Sequence, residues 1–524
     1  MKFRRYPSFP AITTKRLVAT GLAILVAALL LFVANRYMIN ESGDVQNVDE
    51  FIPLHVVQHM HASGTLDTDW AHSDLPEEFR RVHFNFSGYI LSAYAFTRIV
   101  APASLTSEEL LLSRLRQFSR FATLALAVLS FLMLKREIGM GYAFVASIAV
   151  LLAPLTFQDA HYARPEALGT LLFTACFLLS LQTPGSRRRE IVRAMTILCI
   201  AGFLTSIKLT YALAAAFALP VAYRFLPGRA LAVKSTVFFP AAVLAGMACF
   251  VACAAAGAPY AFAHPGIYRE GLAALRTQYQ GLHPPHSLSH YSFIGESTWI
   301  SSYFVGILGW PLLLLHPLGY VPAKTRPALL VFAAIASCML LTFALQHVFF
   351  ERNLSHLVPS FIIVSLIGVQ WAFRQIANVS TPTSSRTALI VAAQVIAMVL
   401  VLRTPFMTTA DVRRVFQMKY IERDREDLDR HIQAAESRVG ADKVVDVGYV
   451  SVLFNDLPAS PGCVLYKITT YRDDWSRRFV DRLRATMTID YVRPSRFSRL
   501  ANSTLYTYHS ASIYLAHSDD ACAR

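Results

Sequence analysis

Long uncharged apolar runs constrain this chain more than any motif it carries. From Leu17 to Val33 there is no charged residue, close to the roughly 20 apolar residues that a helix needs to cross a bilayer core. Comparable stretches recur at 114–134, 141–158, 165–182, 191–206, 209–226, 231–256, 298–316, 327–349, 356–373 and 386–403. In hydrocarbon the backbone must satisfy its own hydrogen bonds, so runs of this kind read as spanning α-helices. Only 16% of the 524 residues are charged and 54% are hydrophobic, whereas a soluble domain carries about 25% charge. A soluble enzyme, a disordered chain and a collagen-like fibre are excluded, and a polytopic α-helical membrane protein is expected.

The net charge of +15 comes from 49 basic and 34 acidic residues. Residues 404–524 hold 18 of the basic and 16 of the acidic residues, so the excess lies almost wholly in the membrane part. There it marks cytoplasmic loops, and a nucleic-acid partner is not expected. With the basic N-terminus inside, Lys135–Arg136, Arg187–Arg189, Arg224/Arg229/Lys234, Lys324/Arg326 and Arg374/Arg386 all fall in cytoplasmic loops only if the polar stretch 86–105 does not cross. That stretch is therefore read as a juxtamembrane or in-plane helix within a first outer loop, 35–113. The expected topology has eleven spans in a cytoplasmic (inner) membrane, with the N-terminus inside and the C-terminal region outside. The leading span, preceded by Lys2, Arg4, Arg5, Lys15 and Arg16, reads as a retained signal anchor because it lacks a small-residue cleavage site.

Two domains follow: a membrane part at 1–403 and an extracytoplasmic α/β domain at 404–524. In the latter, Asp424–Arg438 suits a helix, Lys443–Tyr449 a strand, and Pro458 to Gly462 a turn. Cys176, Cys199, Cys249, Cys253 and Cys338 lie in apolar runs and read as small core residues. Cys463 and Cys522 lie beyond the last run, where an oxidising compartment would let them pair.

The expected outer side gathers the groups able to do chemistry. Asp49 and Glu50 adjoin an aromatic segment, Phe51–His61, that suits a helix lying along the membrane; an acid there could serve as a general base. Gln158-Asp-Ala-His-Tyr-Ala-Arg-Pro-Glu166 closes one span and opens the next, bringing Asp159, Arg164 and Glu166 to the interface facing the first loop, with Tyr162 a further candidate for substrate binding and Pro165 suited to a first helical turn. Lys208, between two apolar runs, is costly in lipid and should meet water, a carboxylate or a phosphate. Arg352 and Asn353 sit at another outer helix end, and the guanidinium fork of Arg352 suits phosphate. Each of these alone also suits an anchor at a helix end; it is their convergence on one face that points to a site. The loop 257–297, with Tyr260, Tyr268, Arg269, Tyr279 and Tyr291, reads as a lid. His55 and His59, at i and i+4, lack the further ligand that a metal site needs.

Together, Val48-Asp-Glu-Phe, Gly64, Asn85-Phe-Ser-Gly-Tyr, Tyr162-Ala-Arg-Pro-Glu166 with Leu168 and Thr170, Thr205 to Thr210, and Phe350-Glu-Arg-Asn-Leu with Pro359 resemble the GT-C-fold membrane glycosyltransferases of the protein O-mannosyltransferase and aminoarabinose transferase superfamily. The resemblance runs through about residues 10–400 in order and spacing. It implies a hexosyl- or pentosyltransferase that takes a sugar from a polyprenyl-phosphate carrier. The acceptor would be an envelope glycan, lipid or protein, and the anomeric centre would invert. In that family's pattern Asp49 is the base with Glu50 beside it, Asp159 or Glu166 is the second acid, and Lys208 and Arg352 hold the carrier phosphate. No cofactor is required, although a divalent cation is left open, and the partners are the isoprenoid-linked sugar and membrane lipids. Two departures bear on the acceptor. Asn47-Val48 stands where the family has histidine-proline, and no proline-rich aromatic run follows Asp67. The rival readings are a transporter or flippase, which would place charges at mid-span, and a scaffold without catalysis.

Overall fold

The computed structural model of the chain describes residues 30, 34, 37, 48–68, 70, 80, 87–100, 107–224, 234–281, 286–288, 290–324, 326–379, 389–403, 418–449, 464–470, 479–481, 483–485, 487–493 and 512–517. A 3-10 turn, Val48–Glu50, leads into α1 (Phe51–Ser63). Then come α2 (Ser87–Val100), α3 (Glu108–Leu134), α4 (Met140–Leu152), α5 (Pro154–Asp159), α6 (Glu166–Leu181) and α7 (Arg187–Ile207). A 3-10 segment, Leu209–Phe217, runs on into α8 (Ala218–Tyr223), followed by α9 (Lys234–Gly257), α10 (Pro259–Ala263), α11 (Pro265–Gln280) and α12 (Phe293–Leu315). A 3-10 stretch, His316–Lys324, separates α12 from α13 (Pro327–Ala344), and the short 3-10 turn Glu351–Leu354 precedes α14 (Leu357–Val379). The last apolar helix is α15 (Leu389–Arg403).

Among the described residues, five helical stretches are long and apolar enough to cross a membrane: Glu108–Leu134, Arg187–Ile207, Phe293–Pro322, Pro327–Ala344 and Leu357–Asn378. Shorter apolar helices cover Met140–Leu152, Glu166–Leu181, Leu209–Tyr223, Ala241–Gly257 and Leu389–Arg403. These fall on the stretches expected from 114–134 to 386–403. Most of the stretch expected at 17–34 lies outside the described residues, as do Cys463, Cys522 and Pro458 to Gly462. Within the polar stretch 86–105, residues 87–100 form the short helix α2, which packs on α1, α3 and α7.

The helices depart from the uninterrupted runs of the sequence where backbone chemistry requires it. The stretch 141–158 is broken at Ala153, whose extended backbone (ψ 126°) separates α4 from α5. Pro154 causes this, because a proline disfavours the helical conformation in the residue before it. Inside α12, Gly309 has φ 74° and ψ 158° next to Pro311, which kinks the helix. Of the aromatic segment 51–61, Ile52, Pro53, Leu54, Val56, Val57 and Met60 are buried. The helix α1 is therefore packed into the protein over most of its circumference.

Helices α7 and α9 form a close pair because a glycine lies at their contact. A Cβ on Gly202 would overlap the backbone of Phe250. C-terminal to the membrane helices, α16 (Met418–Val439) precedes the strands β1 (Val444–Tyr449), β2 (Leu465–Thr470), β3 (Thr488–Arg493) and β4 (Ser512–His517). They form one sheet in the order β1-β2-β4-β3, parallel between β1 and β2 and antiparallel elsewhere. Alternation sends Leu465 and Leu515 towards Ala435 of α16, while Tyr466, Ile468, Tyr514 and Ala516 pack with Phe479 and Leu483 on the other face. At the sheet edge Asp490 of β3 pairs with Arg438 of α16 at 3.2 Å and His517 of β4 at 2.7 Å.

The α7–α9 contact sets an expectation about stability. Gly202→Ala forces overlap with backbone and should destabilise the detergent-solubilised protein by about 1–3 kcal/mol. Gly141→Ala, where a Cβ meets nothing within 4 Å, should leave it unchanged or slightly stabilised. Thermal unfolding of the two variants side by side checks this.

Candidate active site

The site is assembled from segments far apart in sequence, each delivered by a helix end. The first is the 3-10 turn before α1. It carries Glu50, which is fully buried. The Glu50 carboxylate accepts from Arg116 Nε and Nη2, both at 2.9 Å, and from the backbone N–H of Ala163 at 2.8 Å. One side chain thus ties the first loop to α3 and to the turn between α5 and α6. Fork-to-fork geometry of this kind gives strong, orientationally specific bonds.

That turn carries the second group. Arg164 donates to Asp159 Oδ1 at 2.9 Å and lies 3.5 Å from Glu166 Oε2, while its guanidinium stacks over the Tyr162 ring at 4.4 Å. All four side chains are buried. The sequence reading placed Asp159, Arg164 and Glu166 at an interface facing the first loop; they lie beneath it, in the protein interior. Burial pushes the Asp159 carboxyl up to about 7, against the pull of Arg164. Burial of the His161 imidazole holds it far below its usual range, at about 3.

Glu166 connects this group to the third. Lys208, in the break between α7 and the 3-10 segment Leu209–Phe217, donates to Glu166 Oε1 at 2.6 Å and to Asn353 Oδ1 at 3.0 Å. Burial works to lower the Lys208 pKa and the Glu166 carboxylate works to raise it; burial prevails. One turn after Glu166, Gly169 leaves room for the Tyr211 ring, which a Cβ would strike.

The fourth group closes the network. Asn353 donates through Nδ2 to the Tyr279 hydroxyl at 2.5 Å, bringing the end of α11 onto the turn before α14. The neighbouring Arg352 stacks over Phe350 at 4.6 Å and forms an ion pair with Asp49 Oδ2 at 2.7 Å. The structure therefore brings together every candidate named from the sequence: Asp49, Glu50, Asp159, Tyr162, Arg164, Glu166, Lys208, Arg352 and Asn353. The expected lid segment reaches the same network through Tyr279.

Sequence reasoning missed Arg116. It sits two turns into α3 and is buried there, and an arginine in that place needs a buried acid. Among the described residues no group of three or more His, Cys, Asp or Glu is arranged to hold a metal ion. His55 stacks against Phe51 at 6.1 Å.

Chemically, the arrangement offers carboxylates and cations in alternation, with Asp49, Arg352 and Lys208 as its more exposed members. Two measurements check it. Arg116→Gln leaves the Glu50 charge buried without its partner and should cost about 3–5 kcal/mol, seen as a large loss of thermal stability. Infrared difference spectra should show a carboxyl titrating near pH 7 that vanishes in Asp159→Asn.

No protein-family model matches the sequence, and no curated protein matches it. Among solved structures, the chain is similar to ArnT from Cupriavidus metallidurans in the apo state, at TM-score 0.51 and 11% identity over 95% of this chain and 98% of that one. It is also similar to the same protein bound to undecaprenyl phosphate, at TM-score 0.53 and 12% identity over the same shares. The likeness is one of fold: the chain has the GT-C architecture.

Proposed function

We propose that this membrane protein is a glycosyltransferase that takes a sugar from a polyprenyl-phosphate carrier and moves it to an extracytoplasmic acceptor of the cell envelope. The observation that carries this reading is the convergence of Asp49, Glu166, Lys208 and Arg352, from separate segments, on a fold whose solved relative ArnT binds undecaprenyl phosphate. In this reading the chain crosses the inner membrane eleven times with its N-terminus inside. The domain 404–524 and the loop 257–297 lie outside, with the loop acting as a lid.

Transfer from a phosphate-linked sugar needs a base for the acceptor proton and cations for the departing phosphate. Asp49, the exposed acid of the network, takes the proton from the acceptor hydroxyl or amine. The acceptor atom bonds to the anomeric carbon as the bond from that carbon to the phosphate oxygen breaks, with inversion. The electron pair leaves with the polyprenyl phosphate, whose charge Arg352 and Lys208 balance. Asp159 and Glu166 hold Arg164 and Lys208 in place, and Tyr162 supports Arg164 from below. Glu50, with both oxygens engaged by Arg116 and Ala163, holds the first loop and does not act on substrate. Asn353, itself held by Tyr279, keeps Lys208 in position.

The test is transfer by purified protein from a panel of polyprenyl-phosphate sugars. Asp49→Asn should lower turnover by about 100- to 10,000-fold, the usual contribution of a general base, while Lys208→Gln should chiefly weaken donor binding. Equal turnover of Asp49→Asn and wild type would overturn the base assignment. Failure to bind any such carrier would overturn the reading as a whole.

A further inference from the structure

Resting on that reading, we propose that the Asp49–Arg352 ion pair is a latch opened by the donor's own phosphate, so that the base is released only when a donor is seated. Asp49 Oδ2 lies 2.7 Å from Arg352 Nη1. A carboxylate oxygen turned to a guanidinium is not turned to an acceptor, and a base works only within hydrogen-bond reach of the proton it removes. In the structure as it stands, base and cation are engaged with each other.

Three features make this pair the one that exchanges. First, it is the most open part of the network: Arg352 and Asp49 are 21% and 26% exposed, against 2% or less for Arg116 with Glu50 and for Arg164 with Asp159. Breaking a fully buried pair leaves an uncompensated charge, whereas a pair partly open to water is screened and more easily replaced. Second, the donor fork of an arginine fits carboxylate and phosphate alike. A phosphate arriving at Arg352 therefore competes directly with Asp49. Third, the incoming anion gains a second cation there. Lys208, held by Asn353 at 3.0 Å, is near enough to feel the charge of Arg352, so a phosphate that takes Arg352 is also drawn by Lys208.

The stacking of Arg352 on Phe350, at 4.6 Å from the ring centre, does not depend on Asp49. That support keeps Arg352 in place while its anion is exchanged. No covalent bond changes in the exchange; a carboxylate leaves one guanidinium and a phosphate takes its position. The carboxylate, no longer paired with Arg352, then carries out the deprotonation described above.

Binding of undecaprenyl phosphate carrying no sugar, to the full chain in detergent, tests the latch without any turnover. If Asp49 competes for Arg352, Asp49→Asn should bind the lipid about two- to fivefold more tightly, the factor that an exposed ion pair corresponds to. Arg352→Gln should bind it about tenfold or more weakly, as loss of a charged hydrogen bond predicts. The double variant should bind like Arg352→Gln, with no gain from Asp49→Asn. Asp49→Ala serves as a second variant, and thermal unfolding verifies that each is folded. Unchanged or weaker binding by both Asp49 variants, with wild-type binding intact, would overturn the latch and leave the lipid-phosphate reading standing. No binding by wild type or any variant would overturn that reading, and the latch with it. The same ordering with inorganic phosphate but not with the lipid would mean that a free anion is the ligand, and would also overturn the proposal.

Discussion

The hold of Glu50 on Arg116 and on the Ala163 amide is the constraint from which the rest of the site follows. An acid with both oxygens engaged, fully out of water, fixes three pieces of chain at once: the turn before α1, the N-terminal part of α3 and the turn into α6. Asp49 inherits its position from its neighbour, because one residue of a 3-10 turn cannot move independently of the next. The turn that carries Asp159, Arg164 and Glu166 is held from the same point.

Exposure increases along the network from this anchor. Glu50 with Arg116 and Asp159 with Arg164 are enclosed, Lys208 is slightly open, and Arg352 with Asp49 are the most open of the set. The gradient separates two physical roles. In the enclosed part a charge without its partner costs several kcal/mol, so those bonds act as fixed framework. In the open part water screens the charges, and partners can be exchanged at little cost. A site that has to accept and release an anion needs both.

Much of this could be read from the residues, for reasons specific to each element. Apolar runs longer than a soluble helix requires marked the membrane helices, and the β-rich run Lys443–Tyr449 marked β1. Charges at helix ends marked Asp49, Glu166, Lys208 and Arg352, because an ionisable side chain beside an apolar run has to be accounted for. What could not be read was pairing. Nothing in the sequence joins Glu50 to Arg116 or Asp49 to Arg352, since those contacts depend on how helices pack in three dimensions. The break at Ala153 was in principle legible, for Pro154 announces it; the continuous hydrophobicity around it concealed the boundary. The burial of α1 was concealed in another way: its aromatic and histidine residues fit a helix on a membrane surface as well as one inside a protein.

The sheet beyond the membrane helices has a consequence of another kind. Its strand β3 lies at an edge, where unpaired backbone groups invite a strand from another molecule. Asp490 stands on that strand, fixed by Arg438 on one side and His517 on the other. A clamped charge at this position makes the edge a poor template for a hydrophobic strand from a neighbouring copy.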